Sequence, residues 1–384
     1  LSGGKQLRVK FGIDPTSPDL HLGHSIRLRK LRQFQDLGHQ VILLIGDFTA
    51  QVGDPSGRIT ARKMLDEKEI KENMKEYTKQ AGKILDLKKV EIRYNSEWYG
   101  DKTMSFVLDI ASRFTVARIL ERDDFQKRLK KDIDISIQEI YYPLMQGYDS
   151  VALKADLEIG GTDQKFNLIF GRKVQKKYGM KEQDILTTPL LIGTDGEAKM
   201  SKSIGNYIKL TESPKEMYGK IMSIPDQLIW HYFELLTEIP LVDIQKMQDK
   251  TRGMFMNYKE AKEILGQEIV KMYHSQSEAT KAKEEFDNIF QRGGLPSQIP
   301  EISKDMENGV YATEASTTLS LMVESGLAPS KMAARRLIEG GGFTINSKEH
   351  TYTIHDWKQP ITWNNGDVAQ AGKRKFIKIL LKGT

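Results

Sequence analysis

The chain of 384 residues contains no cysteine and no apolar run long enough to cross a membrane, so we expect no membrane association. The absence of cysteine excludes disulfide bonds and thiolate metal sites, and it fits a reducing, cytoplasmic compartment. The formal net charge is only +6, which permits a polyanionic partner without requiring one. Hydrophobic residues make up 39% of the chain, and this is enough to build the cores of two or three domains.

The first half of the chain has the pattern of an α/β protein. Short β-rich runs alternate with helical patterns from residue 7 to about residue 209, as in a parallel sheet built from βα units. Strands are predicted at 7–13 and 41–45, and the helix between them carries Leu28, Leu31, Phe34 and Leu37 and ends at Gly38. We therefore predict a Rossmann-like catalytic domain over residues 1–212. Because the chain starts at Leu1 without methionine and enters a strand almost at once, we also expect a preceding segment.

The remaining parts of the chain differ in pattern. Residues 101–151 are helical without a central strand, which predicts an insertion between the two halves of the sheet, with an apolar face for a second copy of the chain. Ser213, Pro214 and Glu216 form a helix start and open a predicted α-helical domain over 213–292. Glycine and proline then predict a linker over 293–317. A small basic α+β module is predicted over 318–384.

Two histidines stand where the first strand passes into the first helix. His21 and His24 are three residues apart, so both imidazoles lie on one face of the first helical turn, beside its unpaired amides. Gly23 leaves room for a nucleotide close to the backbone, and this corner suits phosphate. Two surface histidines would give the same pattern. A metal site is a weaker alternative, because no third ligand lies nearby.

A lysine-rich loop follows much later, at residues 199–203. Its sequence is Lys-Met-Ser-Lys-Ser, between turn residues at 194–196 and 205–206, and this predicts a mobile loop. Two lysines and two hydroxyls can close over a triphosphate and stabilise the charge of departing pyrophosphate. An isolated lysine pair would indicate only a solvated loop. The combination of the histidine corner and the lysine loop around a βα core is much more specific.

On these two motifs the chain resembles the class I aminoacyl-tRNA synthetases. Three further segments, at 53–57, 142–149 and 160–164, make it similar to the tyrosyl-tRNA synthetase family in particular. The resemblance covers nearly the whole chain. It implies ATP as a substrate, Mg²⁺ accompanying ATP, no tightly bound cofactor and no metal ligands from the protein.

The resemblance also assigns roles to residues in the three segments. Tyr142, Gln146 and Asp149 have helical spacing, which directs all three to one side; a helix with a solvated polar face would have the same spacing. In the family, the first two bind the ammonium group of tyrosine and the third binds its phenol. The tyrosine-binding residues implied by the resemblance are Asp54, Tyr142, Gln146, Asp149 and Gln164.

The nucleotide is assigned in the same way. The implied ATP-binding residues are Gly12, Asp14, Gly161, Asp163, Ser201 and Lys202, with Asp163 accepting from the ribose hydroxyls. The implied catalytic residues are Thr16, His21, His24, Lys199 and Lys202. One departure concerns Lys10, because many family members have a tyrosine there that contacts the substrate phenol. We expect Asp149 to carry most of the phenol recognition, with Lys10 either outside the pocket or neutralising the aspartate.

The C-terminal module resembles a small RNA-binding domain that these synthetases share with a ribosomal small-subunit protein. A helix opening at residue 331 and strands at 343–346 and 376–381 are predicted there. Clustered cations are typical of phosphate-backbone binding, although a solvated charged face would have the same composition. The candidate tRNA-binding residues are Lys331, Arg335, Arg336, Lys373, Arg374 and Lys375.

Taken together, the pattern and the resemblance predict a tyrosine–tRNA ligase. It would activate L-tyrosine with ATP and transfer it to tRNA(Tyr), and we expect a homodimer formed through the helical insertion. A tryptophanyl-tRNA synthetase shares the fold and both motifs, but it would not need Asp149 beside Tyr142 and Gln146. A small-molecule adenylyltransferase would not need the basic module, and a catalytically silent RNA-binding protein would not need the phosphate motifs.

Overall fold

The computed structural model describes residues 4–56, 67–291, 295–296, 299–306, 311–347, 350–372 and 375–382. The chain forms two compact units, Leu1–Thr280 and Lys281–Thr384. Within the described ranges, every helix is too short or too polar to span a lipid bilayer.

The first unit is built on a five-stranded parallel sheet. Its strands are β1 (Arg8–Ile13), β2 (Gln40–Ile45), β3 (Val90–Tyr94), β4 (Leu157–Gly161) and β5 (Asp184–Thr188). Their order is β3-β2-β1-β4-β5 and every pairing is parallel. This order confirms the predicted Rossmann-like fold. The order reverses between β1 and β4, and sheets of this type bind ligands in the crevice that opens there, at the carboxyl ends of the strands.

The α-helices described around this sheet are α1 (Leu22–Asp36), α2 (Thr49–Val52), α3 (Glu67–Ala81), α4 (Ser96–Tyr99), α5 (Met104–Ser112), α6 (Val116–Ile119), α7 (Asp123–Leu129), α8 (Ile137–Ala152) and α9 (Lys165–Lys177). In α1, the predicted apolar face is buried at Leu28, Leu31 and Phe34, whereas Leu37 follows the helix and is exposed. The described segment between β3 and β4 consists of helices joined by turns and short loops, with no strand, and α8 begins with a capping box formed by Ser136 and Glu139. This cap fixes the start of the helix that bears the candidate tyrosine-binding residues.

Five helices follow the sheet in the chain: α10 (Pro214–Met222), α11 (Ile229–Leu236), α12 (Leu241–Arg252), α13 (Tyr258–Tyr273) and α14 (Gln276–Gln291). The predicted domain boundary at residue 213 differs from the division into compact units at residue 280. The reason is that α11 and the residue after it are bonded to the sheet region within the first unit. Arg29 of α1 donates to the carbonyl oxygens of Leu235 and Thr237, and the Tyr232 hydroxyl donates to the Ile192 carbonyl oxygen.

The second unit contains two helices, α15 (Ala315–Glu324) and α16 (Lys331–Glu339), and the strands β6 (Glu301–Asp305), β7 (Tyr311–Thr313), β8 (Phe343–Asn346), β9 (Thr351–Ile354), β10 (Ile361–Trp363), β11 (Val368–Ala371) and β12 (Lys375–Lys382). Five strands form a sheet in the order β6-β12-β11-β8-β9, and β7 pairs with β10. Here the predicted linker over 293–317 needs correction, because β6 pairs with β12 along its length. Local sequence could not reveal a partner more than seventy positions away.

Candidate active site

Two adjoining cavities lie in the first unit, at the carboxyl ends of β1 and β4. The inner cavity, of about 210 Å³, is lined by Lys10, Tyr142, Gln146 and Asp149 among others. The outer cavity, of about 910 Å³, is lined by His21 and by residues 199–204. Side chains that line both cavities mark their junction, and they are Thr16, His24, Arg27, Asp54 and Asp163.

The two histidines fix the start of α1. Nδ1 of His21 accepts from the amide of Gly23 at 3.1 Å, and Nδ1 of His24 accepts from the amide of His21 at 3.2 Å. Burial, assisted by the charges of Lys202 and Arg27, lowers the pKa of His21 to about 3. Burial also holds the pKa of His24 well below its ordinary value. Both rings are therefore neutral at physiological pH. Because Nδ1 accepts in each ring, the proton is on Nε2, which can donate to a ligand.

The lysine loop lies across the outer cavity. Nζ of Lys199 contacts Asp163 Oδ2 at 2.8 Å, and Nζ of Lys202 donates to the hydroxyls of Ser17 and Tyr77. Two hydrogen bonds of the buried Asn206 hold the base of the loop: its Oδ1 accepts from the Ser201 amide at 2.8 Å, and its Nδ2 donates to Asp195 Oδ2 at 2.8 Å. The structure thus brings the loop to the histidine corner, and each lysine contacts a polar group of the same site.

The polar face of α8 points into the inner cavity, as its spacing predicted. Asp149 is buried, and its Oδ1 accepts from the indole Nε1 of Trp98 at 2.9 Å, while Asn95 Nδ2 lies 3.5 Å from Oδ2. Burial raises the pKa of Asp149 to about 7, although the charge of Lys10 and these hydrogen bonds oppose the shift. Asp149 is therefore a carboxyl group that titrates near neutrality.

A second group of polar side chains lies closer to the junction. The Tyr142 hydroxyl donates to Asp14 Oδ2 at 2.9 Å. Gln164 Nε2 donates to Asp54 Oδ2 at 2.7 Å. The Oε1 atom of Gln146 is buried and has no hydrogen-bond partner within the described part of the chain. This region therefore offers two carboxylates and a free amide oxygen to a cation.

Lys10 lines the inner cavity, so the expectation that it lies outside the pocket is wrong. Its Nζ atom contacts Glu158 Oε1 at 2.9 Å, Ser150 Oγ at 2.7 Å and the Gln146 carbonyl oxygen at 3.3 Å. An ammonium group has three hydrogens, so these acceptors saturate it. Lys10 is thus paired with Glu158, its neighbour on the adjacent strand, and it acts on Asp149 only through its charge.

Glycines at the strand ends leave space for a ligand. Gly12 of β1 and Gly161 of β4 both line the inner cavity. A Cβ atom at Gly161 would lie 2.6 Å from Asp163 Oδ1 and 3.1 Å from Nη1 of Arg27. Only glycine therefore lets Asp163 and Arg27 lie this close to the end of the strand.

The candidate RNA-binding cations lie in the second unit. Lys331, Arg335 and Arg336 are exposed on α16, where Arg335 pairs with Glu339 at 2.8 Å. Lys375 donates to the carbonyl oxygens of Gly326 and Leu327, at 3.0 and 3.2 Å. Lys373 and Arg374 lie outside the described residues.

Several residues of the site were missed from sequence. Asn95 and Trp98 follow β3, which was not singled out from the sequence although its residues, Val-Glu-Ile-Arg-Tyr, alternate between apolar and polar. Their place at the carboxyl edge of the sheet would have identified them had β3 been recognised. Arg27 belongs to a helix that also carries Arg29, Lys30 and Arg32, and one arginine among several cations does not stand out.

Comparison with known proteins assigns this arrangement to a family. Residues 2–291 match the family of class I tRNA synthetases for tryptophan and tyrosine. The chain is 48% identical to the tyrosine–tRNA ligase of Thermotoga maritima, over 97% of this chain and 90% of that protein. It is 49% identical to the tyrosine–tRNA ligase of Ralstonia nicotianae, over 98% of this chain and 93% of that protein. The chain belongs to the tyrosyl-tRNA synthetase family.

A solved structure shares the fold of this tyrosyl-tRNA synthetase family member. It is a C-terminally truncated mitochondrial tyrosyl-tRNA synthetase from Aspergillus nidulans, which is 25% identical with a TM-score of 0.62, and the match covers 74% of this chain and 86% of that one. The family predicted from the two motifs is thereby confirmed.

Proposed function

We propose that this chain is a tyrosine–tRNA ligase that makes tyrosyl-adenylate from L-tyrosine and ATP and transfers the tyrosyl group to tRNA(Tyr). One observation carries the proposal: a buried carboxyl group, Asp149, lies in a cavity that adjoins the histidine corner and the lysine loop. Such a group suits a substrate with a hydroxyl on an apolar ring, because a buried carboxylate requires a hydrogen-bond donor.

In this proposal, tyrosine binds in the inner cavity with its phenol at Asp149. Its ammonium group binds at the other end, to the free Oε1 of Gln146, to the Tyr142 hydroxyl and to the carboxylate of Asp54. Gln164 holds Asp54 in place through its hydrogen bond of 2.7 Å. The carboxylate of tyrosine then points to the junction with the outer cavity.

ATP would occupy the outer cavity, with Asp163 at its ribose and Gly12 and Gly161 leaving room for the backbone to approach. Thr16 and the Nε2 proton of His21 would bind phosphate oxygens, and the Nε2 proton of His24 would bind the nucleotide ribose. Lys199 and Lys202, with Ser201, would leave their present partners and bind the β- and γ-phosphates. Because the phosphates are the strongest anions available, this exchange of partners is favourable.

The chemical step needs no general base, since the tyrosine carboxylate is already ionised at neutral pH. Its oxygen attacks the α-phosphorus, the bond from that phosphorus to the bridging oxygen breaks, and pyrophosphate leaves. Positioning and charge stabilisation provide the catalysis. A terminal ribose hydroxyl of tRNA then attacks the adenylate carbonyl carbon, and AMP leaves.

Mg²⁺ is proposed to arrive with ATP as part of the substrate. Among the described residues, no three His, Asp or Glu side chains are grouped so that they could hold a metal ion. The donor set therefore fits an ion bound mainly by phosphate oxygens, which is usual for Mg²⁺.

A homodimer formed through the helical insertion is also proposed. The insertion carries large apolar side chains in solvent, and those at least 49% exposed are Met104, Leu108, Val116, Leu129 and Ile137. Exposed apolar groups of this density are typical of a subunit interface. Replacing Leu108 and Ile137 by glutamate should yield monomers in sedimentation experiments, and a dimer that resists both changes would exclude this face.

The proposed domains are those predicted from the sequence: a catalytic domain, an α-helical domain after residue 213, and a basic C-terminal module that binds tRNA. The exposed cations of α16 support this role for the module. The proposed location is the cytoplasm, where translation uses charged tRNA.

Charging of tRNA tests the proposal as a whole. Purified protein, ATP, Mg²⁺ and tRNA should give acid-precipitable label from radioactive tyrosine and none from radioactive tryptophan. Labelling by tryptophan would favour the tryptophan enzyme, and adenylate formation without transfer would favour an adenylyltransferase.

A further inference from the structure

The junction of the two cavities holds a cation that the account above leaves without a role. Arg27 lies on α1, one turn after His24, and its side chain lines both the inner and the outer cavity. Its Nη1 atom is buried and finds no hydrogen-bond partner in the part of the chain that the structure describes. A buried guanidinium N–H without an acceptor destabilises the folded protein, and a ligand that accepts from it would relieve that cost.

Two carboxylates, Asp54 and Asp163, lie at the junction with Arg27, and within the described residues neither forms an ion pair with it. Asp163 acts on Arg27 by charge, yet its Oδ2 atom is bonded to Lys199. Burial lowers the pKa of Arg27, but an arginine pKa lies so far above neutrality that the group stays charged. Arg27 therefore presents a fixed positive charge and a free donor to the junction.

The reaction brings a defined anion to this point. Tyrosine occupies the inner cavity and ATP the outer one. The α-phosphorus, to which the tyrosine carboxylate bonds, must therefore lie where the two cavities meet. Its two non-bridging oxygens carry negative charge in ATP, in the transition state and in the adenylate. Neutral His24 and Thr16 also lie at the junction, but neither supplies a positive charge.

We propose that Arg27 is a further catalytic residue, whose guanidinium group binds the α-phosphate of ATP and of tyrosyl-adenylate. The inference deepens the proposed function and rests on it for the identity of the amino acid. Arg27 transfers no proton. Its N–H groups donate to the non-bridging oxygens while the carboxylate oxygen bonds to phosphorus and pyrophosphate departs.

The proposed contact can be tested directly by measuring the binding of AMP and of adenosine by calorimetry, because the two ligands differ only in that phosphate. In the full-length protein, Arg27→Met should weaken AMP binding roughly 10- to 100-fold, as expected for loss of a charge-assisted hydrogen bond, and leave adenosine binding within about twofold. Arg27→Lys, which keeps the charge, should restore part of the AMP affinity. Arg29→Met is the matched control, since Arg29 lies on the same helix and bonds main-chain carbonyls away from both cavities.

Thermal unfolding separates this role from a structural one. Removing a buried, unpaired guanidinium should leave the melting temperature of Arg27→Met unchanged or higher, whereas Arg29→Met should lower it. Equal weakening of AMP and adenosine, unchanged AMP binding, or a melting temperature lowered in Arg27→Met would each overturn the proposal. The binding of AMP and adenosine does not depend on which amino acid the enzyme activates. A wild-type protein that fails to activate tyrosine would therefore contradict the proposed function but not the role of Arg27.

Discussion

Single residues of this site have their properties set by burial. Asp149 and His21 show opposite consequences of one cause, because burial raises the pKa of an acid and lowers that of a base. Asp149 titrates near pH 7, while His21 stays neutral down to about pH 3. Between pH 6 and pH 8, a change in tyrosine binding can therefore be attributed to the carboxyl group.

We predict that tyrosine binds more weakly as the pH falls from 8 to 6, measured by calorimetry without ATP. The protonated carboxyl group of Asp149 is the poorer acceptor for the phenol, and its pKa is about 7. Asp149→Asn should remove this pH dependence and reduce the preference for tyrosine over phenylalanine roughly 10- to 100-fold. A variant with an unchanged pH profile would show that another group titrates.

The free energy of unfolding should change with pH in the opposite direction to tyrosine affinity. Because the folded-state pKa of Asp149 lies above the unfolded value, the folded protein binds the extra proton between about pH 4 and about pH 7. The contribution of Asp149 to the free energy of unfolding should thus fall as the pH rises from about 4 to about 7 and stay constant above pH 7. Urea unfolding of wild type and Asp149→Asn at pH 5 and pH 8 should show the variant gaining relative stability at pH 8.

The lysine loop gives the third residue-level prediction. Lys202→Ala should slow adenylate formation on the order of 10²- to 10³-fold, because a charge that stabilises departing pyrophosphate is lost. Tyrosine affinity should stay near normal, since the Lys202 side chain lies in the outer cavity. Lys209→Ala is the control, because Lys209 pairs with Asp19 rather than lining either cavity. Equal losses of rate and tyrosine affinity would indicate a structural lysine.

Among the elements, the helical insertion acts on the site through a chain of side-chain hydrogen bonds. Arg122, just before α7, donates to Asn167 Oδ1 at 2.6 Å and to Ser56 Oγ at 3.0 Å. Asn167 donates to Gln164 Oε1 at 3.1 Å, and Gln164 in turn holds Asp54. Arg122 therefore supports the proposed ammonium site without lining the inner cavity itself.

Arg122→Met should raise the KM for tyrosine about tenfold, because the amide of Gln164 and the carboxylate of Asp54 lose their support. Arg113→Met is the control, because Arg113 also lies in the insertion but pairs with Asp109, outside that chain of bonds. Only Arg122→Met should lose tyrosine affinity. Equal effects on KM would refute the specific link.

The elements also show which structural features sequence could predict. Turn residues and apolar faces were enough for β1, β2, α1 and the capped start of α16. The polar β6 could not be predicted, because its pairing with β12 and not its own residues makes it a strand. The five-residue β3 was missed although its apolar and polar residues alternate. The motif residues of the site were predictable, whereas Trp98, Glu158 and Arg27 gain their roles only from convergence in space.

For the whole molecule, tRNA affinity should depend on the cations of the second unit. A double variant, Lys331→Ala with Arg336→Ala, should weaken tRNA binding and reduce the slope of log affinity against log salt by about one to two. Pyrophosphate exchange should be unaffected, since these residues lie outside the first unit. Lys378→Ala is the control, because Lys378 is paired with Glu301. An unchanged salt slope would exclude these cations from RNA binding.

The central claim is that the cavity containing Asp149 selects tyrosine for activation by ATP. Pyrophosphate exchange, measured separately with each of the twenty amino acids, tests it most directly. Tyrosine alone should support rapid exchange, with tryptophan and phenylalanine near background, because only tyrosine brings a hydroxyl to the buried carboxyl group. Exchange supported equally by tryptophan or phenylalanine, or none with tyrosine, would contradict the account.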